Sequence, residues 1–376
     1  MATTTTSPRS RPDHAGTWIV AVVVVLNVIG LVMVLSASSV ESLRTYGSSW
    51  FFFQRQIAWV TAGALMFVLG ARFDHRRLRQ LAVPMLLLAV VLLILVLVPG
   101  FGVTVYGSRR WLGSGAVRFQ PSELAKLALA VFVAHLFTRH AELRRPGISP
   151  YPALLVLGGF VVLVMAEPDM GTALVMSMMV LAMAFIAGSS LKTMAGVALS
   201  GVSLALAVGM VAPYRRARLM SFLHPFNDHT NAGYQVVQSL VGVASGGPFG
   251  VGLGASRAKW GFLPNAHTDF IFAIIGEELG LLGTVLVVAL FAALTVLGVR
   301  TALRAPDRFS ALLAAGITTW IAGQAAINIG AVIGLVPVTG VPLPFVSFGG
   351  SALLFTMAAA GILVNIASRS RVAAAR

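Results

Sequence analysis

Apolar residues fall along this chain in long unbroken runs, with the polar residues gathered between them. The runs lie at about 17–38, 55–71, 81–98, 122–138, 151–166, 171–188, 192–212, 270–298, 309–334 and 348–368. Most reach the roughly 20 residues that a helix needs to cross about 30 Å of hydrocarbon. The second, fifth and sixth runs are the weakest. The pattern predicts an all-α polytopic membrane protein of about ten transmembrane helices, with a large extracytoplasmic loop between helices 7 and 8. The first run has no good cleavage site and reads as a retained helix, not a signal peptide. Residues 1–16, rich in Thr, Ser, Pro and Arg, read as a disordered cytoplasmic tail. Residues 17–368 form the membrane domain, 213–268 its large outer loop, and 369–376 a second cytoplasmic tail.

Composition agrees with a lipid-facing surface. The chain is 57% hydrophobic and only 10% charged, with a mean hydropathy of +0.89. Water-facing surface on a soluble chain of this length would need far more charge. The formal net charge of +15 does not point to nucleic acid, because the positives sit mostly in short loops between apolar runs. With the N-terminus inside, Arg72, Arg76, Arg77, Arg79, Arg139, Lys192, Arg300, Arg304 and Arg308 all fall on the cytoplasmic side, as the positive-inside rule requires. An even helix count returns the C-terminus to the same side. The chain has no cysteine, so it has neither a disulfide framework nor a Cys-based metal site.

The cations that break this bias carry more information. Arg109, Arg110 and Arg118 lie in the outer loop after run three, and Arg215, Arg216, Arg218, Arg257 and Lys259 in the outer loop after run seven. Topogenesis disfavours them there, so an anionic ligand handled outside is the simplest reason for them. The loop at 213–268 is long for a connection and carries a Gly-rich stretch at 245–254. Such backbone survives at membrane depth only inside protein or beside a water-filled cavity.

Ionisable residues in or beside apolar runs are costly and mark function by default. Four groups qualify. In 120–126, Pro121 opens a helix and Glu123 and Lys126 sit three apart on one face. This is either a capped start with a local ion pair or the lining of a polar cavity. In 167–172, Asp169 is an N-cap or a cavity residue. In 265–278, Asp269 stands where a polar loop meets an apolar helix, with His267, Glu277 and Glu278 close by in sequence. There, partial desolvation brings a carboxylate toward a general base's working range. The apolar stretch that follows Asp269 is longer than one crossing, so its first two turns are expected to be re-entrant or to face a cavity. In 107–112, Arg109 and Arg110 beside Trp111 suit a phosphate next to a sugar or lipid, although Trp111 alone is also an ordinary interfacial anchor. Arg55 is a further candidate for lining the cavity. No P-loop, Rossmann or zinc spacing occurs.

These stretches resemble the shape, elongation, division and sporulation (SEDS) family of FtsW, RodA and SpoVE. The resemblance rests on GSRRWL at 107–112, FQPSELAK at 119–126, EPDMGTAL at 167–174, YRRARLMSF at 214–222 and GYQVVQSL at 233–240. It continues through 249–280 and through GLVPVTGVPLPFVSFGGSALL at 334–354. Several of the motifs are most similar to the division-associated FtsW branch. One departure is Asn265, where many relatives carry Glu.

The resemblance implies a ten-helix domain that polymerises lipid II into glycan strands. It also implies a class B penicillin-binding protein as partner, other division or elongation proteins around it, and a place in the bacterial inner (cytoplasmic) membrane among membrane lipid. On that reading Asp269 is the general base of one inverting displacement of undecaprenyl pyrophosphate. Arg109, Arg110, Lys126, Arg215 and Arg216 are the cations for the leaving diphosphate, Glu123 holds Lys126, and Trp111, Asp169, Arg55 and His267 complete the substrate-binding set. A divalent cation, Mg or Mn, is an expected helper. The competing readings are a lipid II flippase and a non-catalytic scaffold that activates a penicillin-binding protein.

Overall fold

The computed structural model describes residues 14–105, 108–114, 117–143, 149–211, 222, 225–227 and 232–374. Arg215, Arg216 and Arg218, together with the first tail, lie outside the described residues. Among the described residues there are twelve α-helices. They are α1 (Ala15–Tyr46), α2 (Phe51–Arg72), α3 (His75–Gln80), α4 (Ala82–Leu97), α5 (Pro121–Glu142), α6 (Tyr151–Ala166), α7 (Met170–Ala187), α8 (Leu191–Val211), α9 (Ala232–Ser245), α10 (Ile271–Leu303), α11 (Arg308–Val332) and α12 (Gly350–Ala374). Ten of them coincide with the ten apolar runs. The others are α3, a short link after α2, and α9, which lies in the long segment between α8 and α10. Seven are individually long and apolar enough to cross a membrane, and α4 and α6 are shorter apolar helices. The protein is a multi-pass membrane protein. Helices α5, α11 and α12 are largely enclosed, whereas α2 keeps most of its apolar surface on the outside, where lipid replaces water as its solvent.

The loop after α4 departs from the all-helical expectation. It folds as a three-stranded antiparallel sheet, β1 (Gly102–Val105), β2 (Ser108–Ser114) and β3 (Val117–Phe119), in the order β1-β2-β3. Val103 pairs with Trp111 and Thr104 with Arg109, so the register shifts at Arg110, the extra residue of a bulge. Bulges re-aim one side chain out of the ladder, and this one frees Arg110 to reach the turn after α6.

Helix α10 is broken. Gly280 has φ 67° and ψ −160°, a backbone region open to glycine alone at little cost. The break leaves Ile271–Leu279 as a buried short helix and Leu281–Leu303 as a crossing about 34 Å long at 1.5 Å per residue. The long run after Asp269 therefore divides in two, with its first turns enclosed in protein. The Gly-rich loop supplies the hydrogen bonds that the break removes. Val251 N donates to Glu277 O at 2.9 Å and Gly252 N to Glu278 O at 3.1 Å. In the other direction, Leu281 N donates to Gly247 O at 2.9 Å and Leu282 N to Pro248 O at 3.2 Å. A methyl group at Gly250 would stand 2.1 Å from Glu278 O, so the loop seats only because it lacks side chains there.

The carboxylates of the same two residues fasten the rest of the loop. Glu277 accepts from Arg257 N at 2.8 Å and from the Ser256 hydroxyl. Glu278 accepts from the Ser36 hydroxyl at 2.6 Å and from buried Lys259 Nζ at 3.2 Å. Lys259 Nζ also donates to Gly254 O at 2.6 Å. Lys259 and the glutamates near Asp269 are thus committed to holding this loop.

Candidate functional site

The site is built around the segment 338–348, between α11 and α12, which lies against residues 267–269 just before α10. Three successive residues are gripped through their main chain. Phe348 N donates to His267 O at 3.0 Å, the Ser347 hydroxyl to Thr268 O at 2.6 Å, and Asn328 Nδ2 to Asp269 O at 2.8 Å. Asn328 Nδ2 also donates to Val341 O at 2.8 Å, tying the two strands of chain together. Phe270, not Asp269, occupies the N-cap position of α10. The Asp269 carboxylate is half-buried, and a Cβ added at Gly340 would lie 3.6 Å from its Oδ2.

His267 is buried under Phe52 and Phe348, with ring centroids 4.7 and 5.6 Å away. Its Nδ1 lies 3.3 Å from the Glu41 carboxylate on α1. The first turn of α2 therefore borders the Asp269 segment. Arg55, half-buried on that turn, lies 4.2 Å over the Phe51 ring.

One turn into α5, Glu123 and Lys126 are 2% and 1% exposed and form an ion pair at 2.9 Å. Lys126 Nζ also donates to Gln324 Oε1 at 2.7 Å and sits 4.8 Å from the centre of the Trp320 ring. Gln324 Nε2 passes the connection on to Pro342 O at 2.9 Å. Of the two readings the local ion pair is present, and it belongs to an enclosed network that reaches the 341–342 segment through α11. Trp320, Gln324 and Asn328 stand four residues apart, so they occupy one face of α11.

Asp169 caps α7 and accepts from Thr172 N at 3.1 Å and the Thr172 hydroxyl at 2.8 Å. Gln120, just ahead of α5, donates to its Oδ2 at 3.1 Å. Val341 and Thr339 pack onto Gly171 in the first turn of α7. Segment 338–342 thus touches the Asp169, Lys126 and Asp269 groups together.

Arg110 donates from Nε to Glu167 O at 3.0 Å and from Nη2 to Pro168 O. Two of its five N–H groups hold backbone carbonyls of this turn, which fixes the guanidinium beside Glu167. Arg109 is exposed on β2 and Trp111 is half-buried beside it.

Sequence reasoning passed over Glu167. Its carboxyl is fully buried and neither oxygen has a hydrogen-bond partner. Burial, then the neighbouring Asp169 charge, pushes its pKa from 4.5 up to about 9, against a smaller pull from Arg110. Native Glu167 therefore keeps its proton at pH values where the unfolded chain has lost it. The native state binds one more proton between these limits, so stability falls as pH rises from about 4.5 to about 9. Between pH 5.5 and pH 7 the loss is about 2 kcal/mol at 1.36 kcal/mol per unit. Glu167→Gln is expected to unfold at a higher temperature than wild type at pH 7, with the gap closing at pH 5. Equal gaps at both pH values would contradict a buried neutral carboxyl.

Among the described residues no three His, Cys, Asp or Glu side chains gather as metal ligands.

Comparison with known proteins agrees with the motifs. The FtsW/RodA/SpoVE cell cycle protein family model matches residues 17–372. The chain is 39% identical to a probable peptidoglycan glycosyltransferase FtsW of Geobacter metallireducens, covering 94% of each chain. It is 40% identical to the stage V sporulation protein E of Bacillus subtilis, over 97% of this chain and 100% of that one. Among solved structures, the Thermus thermophilus rod shape determining protein RodA aligns with TM-score 0.70 at 27% identity, covering 96% and 98%. A chain from a structure on the coordination of polymerization and crosslinking by a peptidoglycan synthase complex aligns with TM-score 0.76 at 29% identity, covering 94% and 97%. With matched motifs, fold and full-length identity in agreement, the chain belongs to the FtsW/RodA/SpoVE family of cell cycle proteins.

Proposed function

We propose that this chain is a peptidoglycan glycosyltransferase that polymerises lipid II on the non-cytoplasmic side of the bacterial cytoplasmic membrane, with both termini inside. The observation that carries the reading is the half-buried Asp269 carboxylate, borne on a backbone clamped at three successive residues. A base must hold its position within a few tenths of an ångström of its proton, and this frame supplies that rigidity. The names of the relatives supply the reaction class.

In the reaction, Asp269 takes the proton from the acceptor sugar's 4-hydroxyl. That oxygen forms a bond to the anomeric carbon of the growing chain. The bond from that carbon to the diphosphate breaks, and undecaprenyl pyrophosphate leaves with the electron pair. One displacement inverts the α donor linkage to a β product, so one base suffices and no covalent intermediate forms. The leaving diphosphate needs positive charge more than a proton. Exposed Arg109, Arg55 at the head of α2, and Arg215 and Arg216 of the outer loop are the cations we assign to it. Lys126, buried and saturated, acts through Gln324 as a positioning residue. We assign it a class B penicillin-binding protein as cross-linking partner; the reading is supported by the likeness to a chain from a peptidoglycan synthase complex that coordinates polymerization and crosslinking.

The direct test supplies purified protein with fluorescent lipid II, with and without the partner, and resolves products on a gel. A glycan ladder is the expected result. Leaflet exchange of lipid II in liposomes without any ladder would replace this reading with lipid transport.

A further inference from the structure

The face opposite the site carries a cavity of about 810 Å³. It lies at the C-terminal end of α5 and the N-terminal end of α11, whereas the site uses the other end of each helix. Arg76, Arg79 and Gln80 of α3, His135 and Glu142 of α5, and Arg308 of α11 line it, with Asp307, Thr138, Ala141 and Phe309. The volume is that of a small-ligand site.

The balance of charge within it is positive. Glu142 is fully engaged by Arg79, through two hydrogen bonds of 2.8 and 2.6 Å. One oxygen of Asp307, Oδ1, is turned into its own helix, accepting from Ser310 N and the Ser310 hydroxyl, each at 2.9 Å, and Oδ2 faces Arg76. Arg76 reaches Asp307 only at 3.8 Å and keeps its side chain 65% exposed, so its guanidinium fork is open. Arg308 donates one nitrogen to Ala187 O at 2.7 Å and retains further N–H groups. Open guanidinium donors on Arg76 and Arg308 suit a phosphate group.

The surroundings of the cavity say which phosphate. Phe309 and Ala141 make an apolar wall. Leu81 and Leu143, the next residues after Gln80 and Glu142, are exposed apolar side chains. Basic pockets between transmembrane helices on the cytoplasmic side are where anionic headgroups bind. We propose that this cavity holds the phosphate headgroup of an anionic phospholipid, whose acyl chains run down the lipid-facing surface beyond Leu81 and Leu143.

The full-length protein, stripped of lipid in detergent, is titrated with short-chain phosphatidylglycerol, short-chain phosphatidylcholine or inorganic phosphate, and its unfolding temperature is followed. Phosphatidylglycerol is expected to raise it saturably and phosphatidylcholine to leave it unchanged. Arg76→Gln should weaken the apparent affinity about tenfold, which is 1.4 kcal/mol. Arg77→Gln removes the same charge from the same helix outside the cavity, and should weaken it less than about twofold. Equal weakening by the two variants, or equal protection by the two lipids, would show only general attraction to the surface and overturn the site. Protection by inorganic phosphate at the concentration where phosphatidylglycerol acts would overturn the lipid as its occupant.

Discussion

Replacing Asp269 with asparagine is expected to abolish glycan polymerisation while the protein folds and purifies as wild type. The expectation follows from how residue 269 is held. Its anchoring contact to Asn328 uses its carbonyl oxygen, and the neighbouring anchors use His267 O and Thr268 O. Asparagine keeps these main-chain contacts and the side-chain volume, and removes the negative charge and with it the capacity to accept a proton. A positioned general base contributes about 10²–10⁴-fold to such a transfer, so the variant should fall by at least two orders of magnitude on the lipid II gel. Asp269→Glu should also be severely impaired, because an added methylene moves the carboxylate by about an ångström from its working position. Polymerisation by Asp269→Asn within tenfold of wild type would remove Asp269 from the mechanism and leave the reaction without a base in this frame.

The parts of this arrangement that were legible in the sequence are those governed by one local rule. Ten apolar runs give ten helices because lipid tolerates no other open chain conformation. The Glu123 and Lys126 pairing follows from a three-residue spacing on a helix beginning at Pro121. What escaped is tertiary in origin. The interruption at Gly280 lies in an apolar run without proline, and a helical glycine costs only about 1 kcal/mol. The break is made by a loop more than twenty-five residues upstream, which hydrogen-bonds both of its sides. The strands of the β-sheet are three to seven residues long, too short for alternation to stand out around the bulge at Arg110. Gln324 and Asn328 did carry a signal, two amides one turn apart inside an apolar run, which the search for charged residues passed over. Glu167 was read only as part of a turn, because nothing in the sequence says that its carboxyl points into protein instead of water.

Lys126→Met is expected to destabilise the protein by about 3–5 kcal/mol, because it leaves the Glu123 carboxylate buried without its cation. Glu123 is 2% exposed, so water cannot take the place of Lys126, and the variant should show a lowered unfolding temperature and poor yield. The second step of the experiment separates fold from function. In the double variant Glu123→Gln/Lys126→Met neither charge remains, and replacing a buried ion pair by neutral groups of similar size is often close to neutral for stability. Its unfolding temperature should therefore recover most of the loss. Polymerisation should not recover with it. Gln324 Oε1 will have lost the ammonium and kept only Trp320 Nε1, at 3.0 Å, as its donor, and Gln324 Nε2 is the donor that holds Pro342 O beside the strand clamped to Asp269. The double variant should then remain at least about tenfold below wild type, a loss of 1.4 kcal/mol in the transition state, seen in kcat more than in KM because alignment and not substrate affinity is disturbed. Full activity in the refolded double variant would mean that Lys126 serves only to neutralise Glu123. A loss confined to KM would instead place its charge in substrate binding.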